Sequence, residues 1–465
     1  MKNMYMQICF LILSIVISSC AKAKPSRAGD PTATLNAILA NKQETGEANV
    51  RVLTQNKDFY RAGDFDSFFV VIYNLAGKKV TCSFSINGKH VTTRIISVES
   101  NKQVVDFNGI YTQILGTEDG KELVLDAEYK ISASSPINKE RVVLTKQQYQ
   151  IHTIADLNGI RYDLKGSYKQ MKTLKFESNF KPIPTYSNVN YVSLSNFMSN
   201  EHAFTGEYDG RNTKLVGMKI QANKESYVGM FRLLRGAKIY NVDMEGVTIE
   251  NPNDIVGALA GKTESVSSNS VQATVLENIK VTDLRITSNI TSSLDLNGFG
   301  GLVGVLGDNS RIARSYVVNS AIEITSTRSK GIGGIVGQSA NNTAIEDSYV
   351  RGTKIKGYSQ VGGIVGGVSQ TQNTTQKIKL NFCFSDSCVL ETANIADGAD
   401  PIGKDANITS CYYRQITGDK NNPLSNAAAQ SFETLSDIPQ GSDFWKHFQY
   451  DGVNIGLAPL PITYP

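Results

Sequence analysis

Histidine is scarce in this sequence: 465 residues contain four, at His90, His152, His202 and His447. None begins an HExxH motif, and the six cysteines fall at no zinc-ligand spacing, so neither a zincin centre nor a zinc finger is written in the chain. Charge is thin as well. Charged residues make up 19% of the chain and the formal net charge is +4, too small to argue for nucleic-acid binding. Long apolar runs are missing. The longest candidate, Ile8–Ile17 near the start, is too short to span ~30 Å of hydrocarbon. Acids such as Asp243, Glu277, Asp283, Glu323, Glu346 and Asp347 are scattered, with no stacked outward pair of the kind glycoside hydrolysis needs. The glycine motifs lack the following helix that a phosphate loop needs. What the chain has in quantity is Gly, 39 residues of it, among many Ser, Thr and Asn. That suits an exported all-β protein.

The first residues read as an export signal. Lys2 supplies a positive start, Ile8–Ile17 an apolar run, and Ser18-Ser19 small residues before Cys20. Ile17-Ser18-Ser19-Cys20 resembles the bacterial lipobox. The resemblance implies a lipoprotein signal peptide over 1–19, cleavage before Cys20, and acylation of that Cys by palmitate-type chains. More than one chain gives stable anchoring, because each buried CH₂ contributes about 0.8 kcal/mol. Residues 20–48 read as a polar tether, with a short helix expected over Thr32–Lys42. The tether opens basic, with Lys22, Lys24 and Arg27, where surface-displayed lipoproteins often carry acids. Anchoring to the outer membrane of a Gram-negative cell is expected, with the cell surface and the periplasmic face both open.

Residues 49–147 read as a β-sandwich, immunoglobulin-like in architecture. Ser67–Tyr73, Lys79–Ile86, His90–Val98 and Glu122–Ile131 are rich in β-branched and aromatic residues, and Asn87-Gly88 is a hairpin signal. Cys82 alternates with polar neighbours, as a small buried apolar residue would.

From Tyr149 the pattern changes. Ile154–Leu164 has helical spacing and reads as an N-terminal cap. Then come Phe204-Thr205-Gly206-Glu207-Tyr208-Asp209-Gly210 and the repeated glycine motifs GFGGLVG (298–304), GIGGIVG (331–337) and VGGIVG (361–366). This order resembles bacterial GLUG-motif proteins, over a little more than half the chain. The resemblance implies a right-handed parallel β-helix on an exported, adhesin-like protein, spanning 148–414. The IgA-cleaving metalloproteases that carry such repeats have a separate HExxH domain, which this sequence lacks, so no protease activity follows.

A second register follows each glycine motif. With Ile239, Leu276, Ile312, Ile345, Leu380 and Ile408 as position 0, apolar or small residues recur at +3 and +5, then at +8 and +10. That is period two, the mark of strands with one face inside, with a bend between +5 and +8. Gly229, Gly257, Gly304, Gly337 and Gly366 close the glycine motifs and are expected at corners of the coil, where positive φ is needed. Cys383 and Cys411 share position +3 in successive repeats. Stacking brings their Cα atoms to about 5 Å, inside disulfide range. A bridge and a stack of buried thiols, Cys388 included, are both open. Position +4 points outward and holds Asp243, Lys280, Tyr316, Tyr349, Phe384 and Tyr412. The last four form an aromatic ladder, either a platform for a glycan or other ligand, or a packing ladder beneath another segment. Residues 415–465 are expected to cap the C-terminal end, with a short helix over Ala427–Leu435.

The expected protein is a lipid-anchored envelope protein without enzymatic activity, cofactor or metal, which binds a glycan or a host or envelope protein through its β-helix. A structural component of a surface complex and a polysaccharide-acting β-helix enzyme are the alternatives. The first check is on Cys20. Cells fed an alkyne palmitate analogue should incorporate it into the wild-type protein, and Cys20→Ala should abolish the label and move the protein out of the membrane fraction. A labelled Cys20→Ala would refute the lipobox reading.

Overall fold

A computed structural model describes residues 49–53, 59–60, 69–106, 120–132, 134–147, 149–184, 203–265, 272–290, 296–368, 378–394, 399–403, 406–414, 416–418, 430–432, 447–450 and 455–457. The expected signal peptide, Cys20 and the expected tether with its Thr32–Lys42 helix lie outside them. The chain divides into two compact units, Met1–Lys146 and Gln147–Pro465.

The first unit is a sandwich. One sheet joins Asn49–Leu53, Phe69–Tyr73 and Lys102–Asp106. The other has the order Phe59–Tyr60, Asn138–Lys146, Glu122–Lys130, Lys79–Ile86, Lys89–Ser97. Lys79–Ile86 buries every second residue, and Val80, Cys82, Phe84 and Ile86 share one core with Val70 and Ile72 of the facing sheet. Asn87 and Gly88 both take positive φ, 48° and 76°, as a two-residue hairpin with the right twist requires. Four strands are not legible in the sequence. The longest, Asn138–Lys146, buries only Leu144 and Lys146 and leaves Val143 exposed, so it carries no apolar alternation.

The second unit is a parallel β-solenoid. One turn shows its plan. Arg311–Ala313 and Tyr316–Val318 lie in the longest sheet, Ala321–Ile324 in a second, Ser329–Gly333 in a third and Val336–Ser339 in a fourth. Ala344–Glu346 then begins the next turn, stacked on Arg311–Ala313. The expected register is the observed one. Ile239, Leu276, Ile312, Ile345, Leu380 and Ile408 pair in succession. Ile249, Ile286, Ile322, Ile355 and Leu390 at +10 do the same, all fully buried.

The bends are left-handed residues stacked in columns. Position +2 holds Asn241, Asn278, Arg314, Asp347, Phe382 and Ser410, with φ between 49° and 57°. Position +7 holds Gly246, Asp283, Asn319, Gly352 and Ser387, with φ between 51° and 67°. A third column runs through Tyr227, Ile255, Gly298, Gly331 and Gln360 at the entry to the glycine motifs. One bent rung fixes the next, because parallel pairing carries the backbone path across.

The closing glycines are not at these bends, which corrects the sequence expectation. Gly304, Gly337 and Gly366 lie inside strands, and none has positive φ. Their reason is close approach. A Cβ on Gly337 would meet the Gly298 carbonyl carbon at 2.5 Å, and one on Gly366 the Gly331 carbonyl carbon at 2.6 Å. Two sheets are pressed backbone on backbone there, with no room for a side chain.

Both ends differ from expectation in detail. The leader helix is Ile154–Gly159 followed by a 3-10 turn, Ile160–Tyr162, and is shorter than 154–164. Thr153 and Asp156 form a capping box at its start. Gln150–Ile151, Ser167–Gln170 and Glu207–Asp209 already stack in parallel, so the leader and the FTGEYDG segment are themselves rungs. At the other end Gln430–Phe432, expected within a helix, is a strand paired with Tyr412–Arg414, and it extends the ladder.

Gly337→Ala places a methyl against backbone that cannot move aside. It should cost about 1–3 kcal/mol, read as a lower urea midpoint by circular dichroism. An unchanged midpoint would show that the two glycine sheets are not in contact.

Candidate functional site

The residues just past each bend explain the cysteines. At +3 and +8 the chain has turned through a left-handed residue, and the next side chain reaches back over it. Ser315 Oγ donates to the Ala313 carbonyl at 2.8 Å, Ser320 Oγ to Val318 at 2.9 Å and Thr353 Oγ1 to Arg351 at 3.0 Å. The same oxygens accept from the neighbouring rung: Ile279 N–H donates to Ser315 Oγ and Leu284 N–H to Ser320 Oγ, each at 3.1 Å. Cys383, Cys388 and Cys411 occupy these positions. Cys388 Sγ donates to the Asp386 carbonyl at 3.2 Å, and Cys383 N–H donates to Cys411 Sγ at 3.4 Å. The four described cysteines are free and buried, so of the two arrangements left open for Cys383 and Cys411 the structure holds the stacked thiols. Burial pushes Cys388 up to about 11 and raises Cys383 as well, which keeps both neutral. They work as serines in these bends.

The +4 column forms the expected ladder, with Tyr316, Tyr349, Phe384 and Tyr412 paired in succession. Tyr316 stacks on Tyr349 at 4.9 Å and 25°. The ladder is not an open platform, however. Phe448, on a strand beyond the last rung, lies across it, 6.4 Å from the Tyr349 ring and 6.3 Å from Phe384. Tyr349, Phe384, Tyr412 and Phe448 are 6%, 1%, 7% and 1% exposed, one apolar cluster with Val318. Next to it His447 stacks on Phe382 at 3.9 Å and sits 2.5 Å from Asp347. Arg414 grips Asp386 with two hydrogen bonds, at 2.9 and 2.8 Å. Tyr316 alone is half-buried. Beyond it the column turns charged, with Lys280 and Asp243, and burial raises the Asp243 carboxyl against the pull of Lys214 and Lys280.

An open groove of about 480 Å³ lies on another part of the wall, along the +7 bend. The bend column, Asp283, Asn319, Gly352 and Ser387, lines one side, and the buried Leu284, Ser320 and Thr353 lie between it and the next column. Left-handed φ favours short side chains there, and a row of short side chains is a trench. The +9 column makes the wall, reading Arg285, Ala321, Lys354 and Val389 in paired succession. Lys354 is held by Glu323 at 3.0 Å and Glu391 at 3.6 Å, which together raise its ammonium. Arg285 is exposed, and among the described residues no carboxylate lies within ion-pair distance of it. Ser387 turns its hydroxyl onto Asp386 at 3.0 Å. The groove was not anticipated, although the short +7 residues and the long-short-long order at +9 were both present in the sequence.

No protein-family model matches the chain, and no curated protein matches it. The wall geometry therefore carries the functional argument by itself.

Phe448→Ala should expose the ladder and cost about 3–5 kcal/mol. Burial now raises the Tyr349 hydroxyl, so in the variant an absorbance titration should find it ionising at lower pH. An unchanged titration would mean that Phe448 does not cover the ladder.

Proposed function

We propose that this is a lipid-anchored envelope protein whose solenoid wall contacts a ligand, without catalysis. The observation that carries the reading is the groove along the +7 bend. It is open and regular, it runs over successive rungs, and a rigid scaffold of stacked strands holds it. A binding wall needs such preorganisation, since little freedom is lost when the partner docks. The ladder, covered by Phe448, lies on another part of the coil and is not part of this groove. Anchoring through Cys20 would hold the solenoid at the outer membrane, where an adhesin-like protein of the GLUG kind would work.

The test uses the purified mature chain on arrays of glycans and of host and envelope proteins, followed by pull-down from cells. Selective binding that is lost when Ala321→Trp fills the groove is the expected result. A chain that retains its circular dichroism spectrum and binds nothing on either array would overturn the reading. Protease shaving of intact cells then assigns the face. Cleavage within 150–465 places the wall outside the cell, and protection restricts the partner to the periplasm.

A further inference from the structure

The groove also specifies a ligand chemistry. We infer that it takes a linear, carboxylate-bearing glycan lying along the solenoid axis, with Arg285 as the anion contact and Asp283 and Asn319 as the hydroxyl contacts. This rests on the ligand-contact reading above.

The axis direction comes from the repeat. Arg285, Ala321, Lys354 and Val389 are in register, one per rung, and so are Asp283, Asn319, Gly352 and Ser387. Three steps of ~4.8 Å make a trench about 14 Å long. A 1,4-linked pyranose chain advances by close to one rung per sugar, so each unit meets equivalent backbone. An extended peptide advances ~3.3 Å per residue and falls out of step.

The polar groups then divide the work. Lys354 is already committed to Glu323 and Glu391, which leaves Arg285 as the groove's cation without a carboxylate among the described residues. Its planar fork matches a carboxylate in bidentate fashion, and it stands at the rim where such a group arrives with little desolvation. Asp283, exposed two residues earlier, accepts hydrogen bonds from sugar hydroxyls. The Asn319 amide lies over Gly352, where a Cβ would stand 2.9 Å from Asn319 Oδ1, and it offers both a donor and an acceptor. Ala321, between the two long cations, leaves the notch where a ring fits. A neutral chain would leave Arg285 unused.

Isothermal titration of the folded mature protein with hexagalacturonate, its fully methyl-esterified form and maltohexaose tests this. The acid form should bind, with the ester and maltohexaose at least tenfold weaker. Arg285→Ala should lose at least tenfold and Ala321→Trp should abolish binding, both with unchanged circular dichroism. Lys379→Ala removes an exposed cation outside the groove and should bind as wild type. Equal binding of acid and ester, or wild-type binding by Arg285→Ala, would overturn the carboxylate assignment. Equal losses in Arg285→Ala and Lys379→Ala would do the same, by showing attraction to charge in general. Any of these beside a groove-dependent array partner would leave the ligand-contact reading intact. A silent array would remove both.

Discussion

In-register parallel pairing is the constraint on which the rest of this molecule depends. Each strand of the solenoid hydrogen-bonds to the equivalent strand one turn on, so any departure from extended backbone must recur at the same place in every turn. The left-handed columns are the clearest result. Position +2 accepts Asn, Arg, Asp, Phe and Ser with nearly the same φ. Individually, Arg314 and Phe382 are poor residues for that conformation. Their neighbours above and below impose it.

The same constraint sets the chemistry beside each bend. A left-handed residue interrupts the ladder, and a short side chain with one donor and one acceptor closes the gap. Ser, Thr and Cys all qualify, which is why Ser315, Thr353 and Cys388 sit at inward positions that the apolar pattern would assign to aliphatic side chains. The thiols are therefore intelligible without a bridge. The trench along +7 follows another such bend, where Asp283, Asn319, Gly352 and Ser387 are all short.

What the sequence disclosed follows the same physics. The position 0, +5 and +10 columns were legible because period two and rung length are both visible in side-chain type, and each apolar residue has one reason to be there. Glycine was harder, because it serves two purposes. Gly337 answers a close approach and Gly331 a positive φ, and the letters do not say which. The ladder Tyr316–Tyr412 was legible as a column, but not its cover, since Phe448 reaches it from beyond the last rung and no repeat marks that contact. The groove escaped notice because it is made of what side chains leave empty. In the sandwich, Asn138–Lys146 carries no visible alternation because Glu140 and Lys146 share its inward side with Val142 and Leu144.

The path of the chain end has a mechanical consequence. After the last rung the chain doubles back, and Phe448 docks against Tyr349 and Phe384, on interior turns of the stack. Force that reaches Phe448 therefore meets an aromatic contact on a part of the coil supported from both sides. The terminal turn, which alone could be peeled one strand at a time, is shielded from the load.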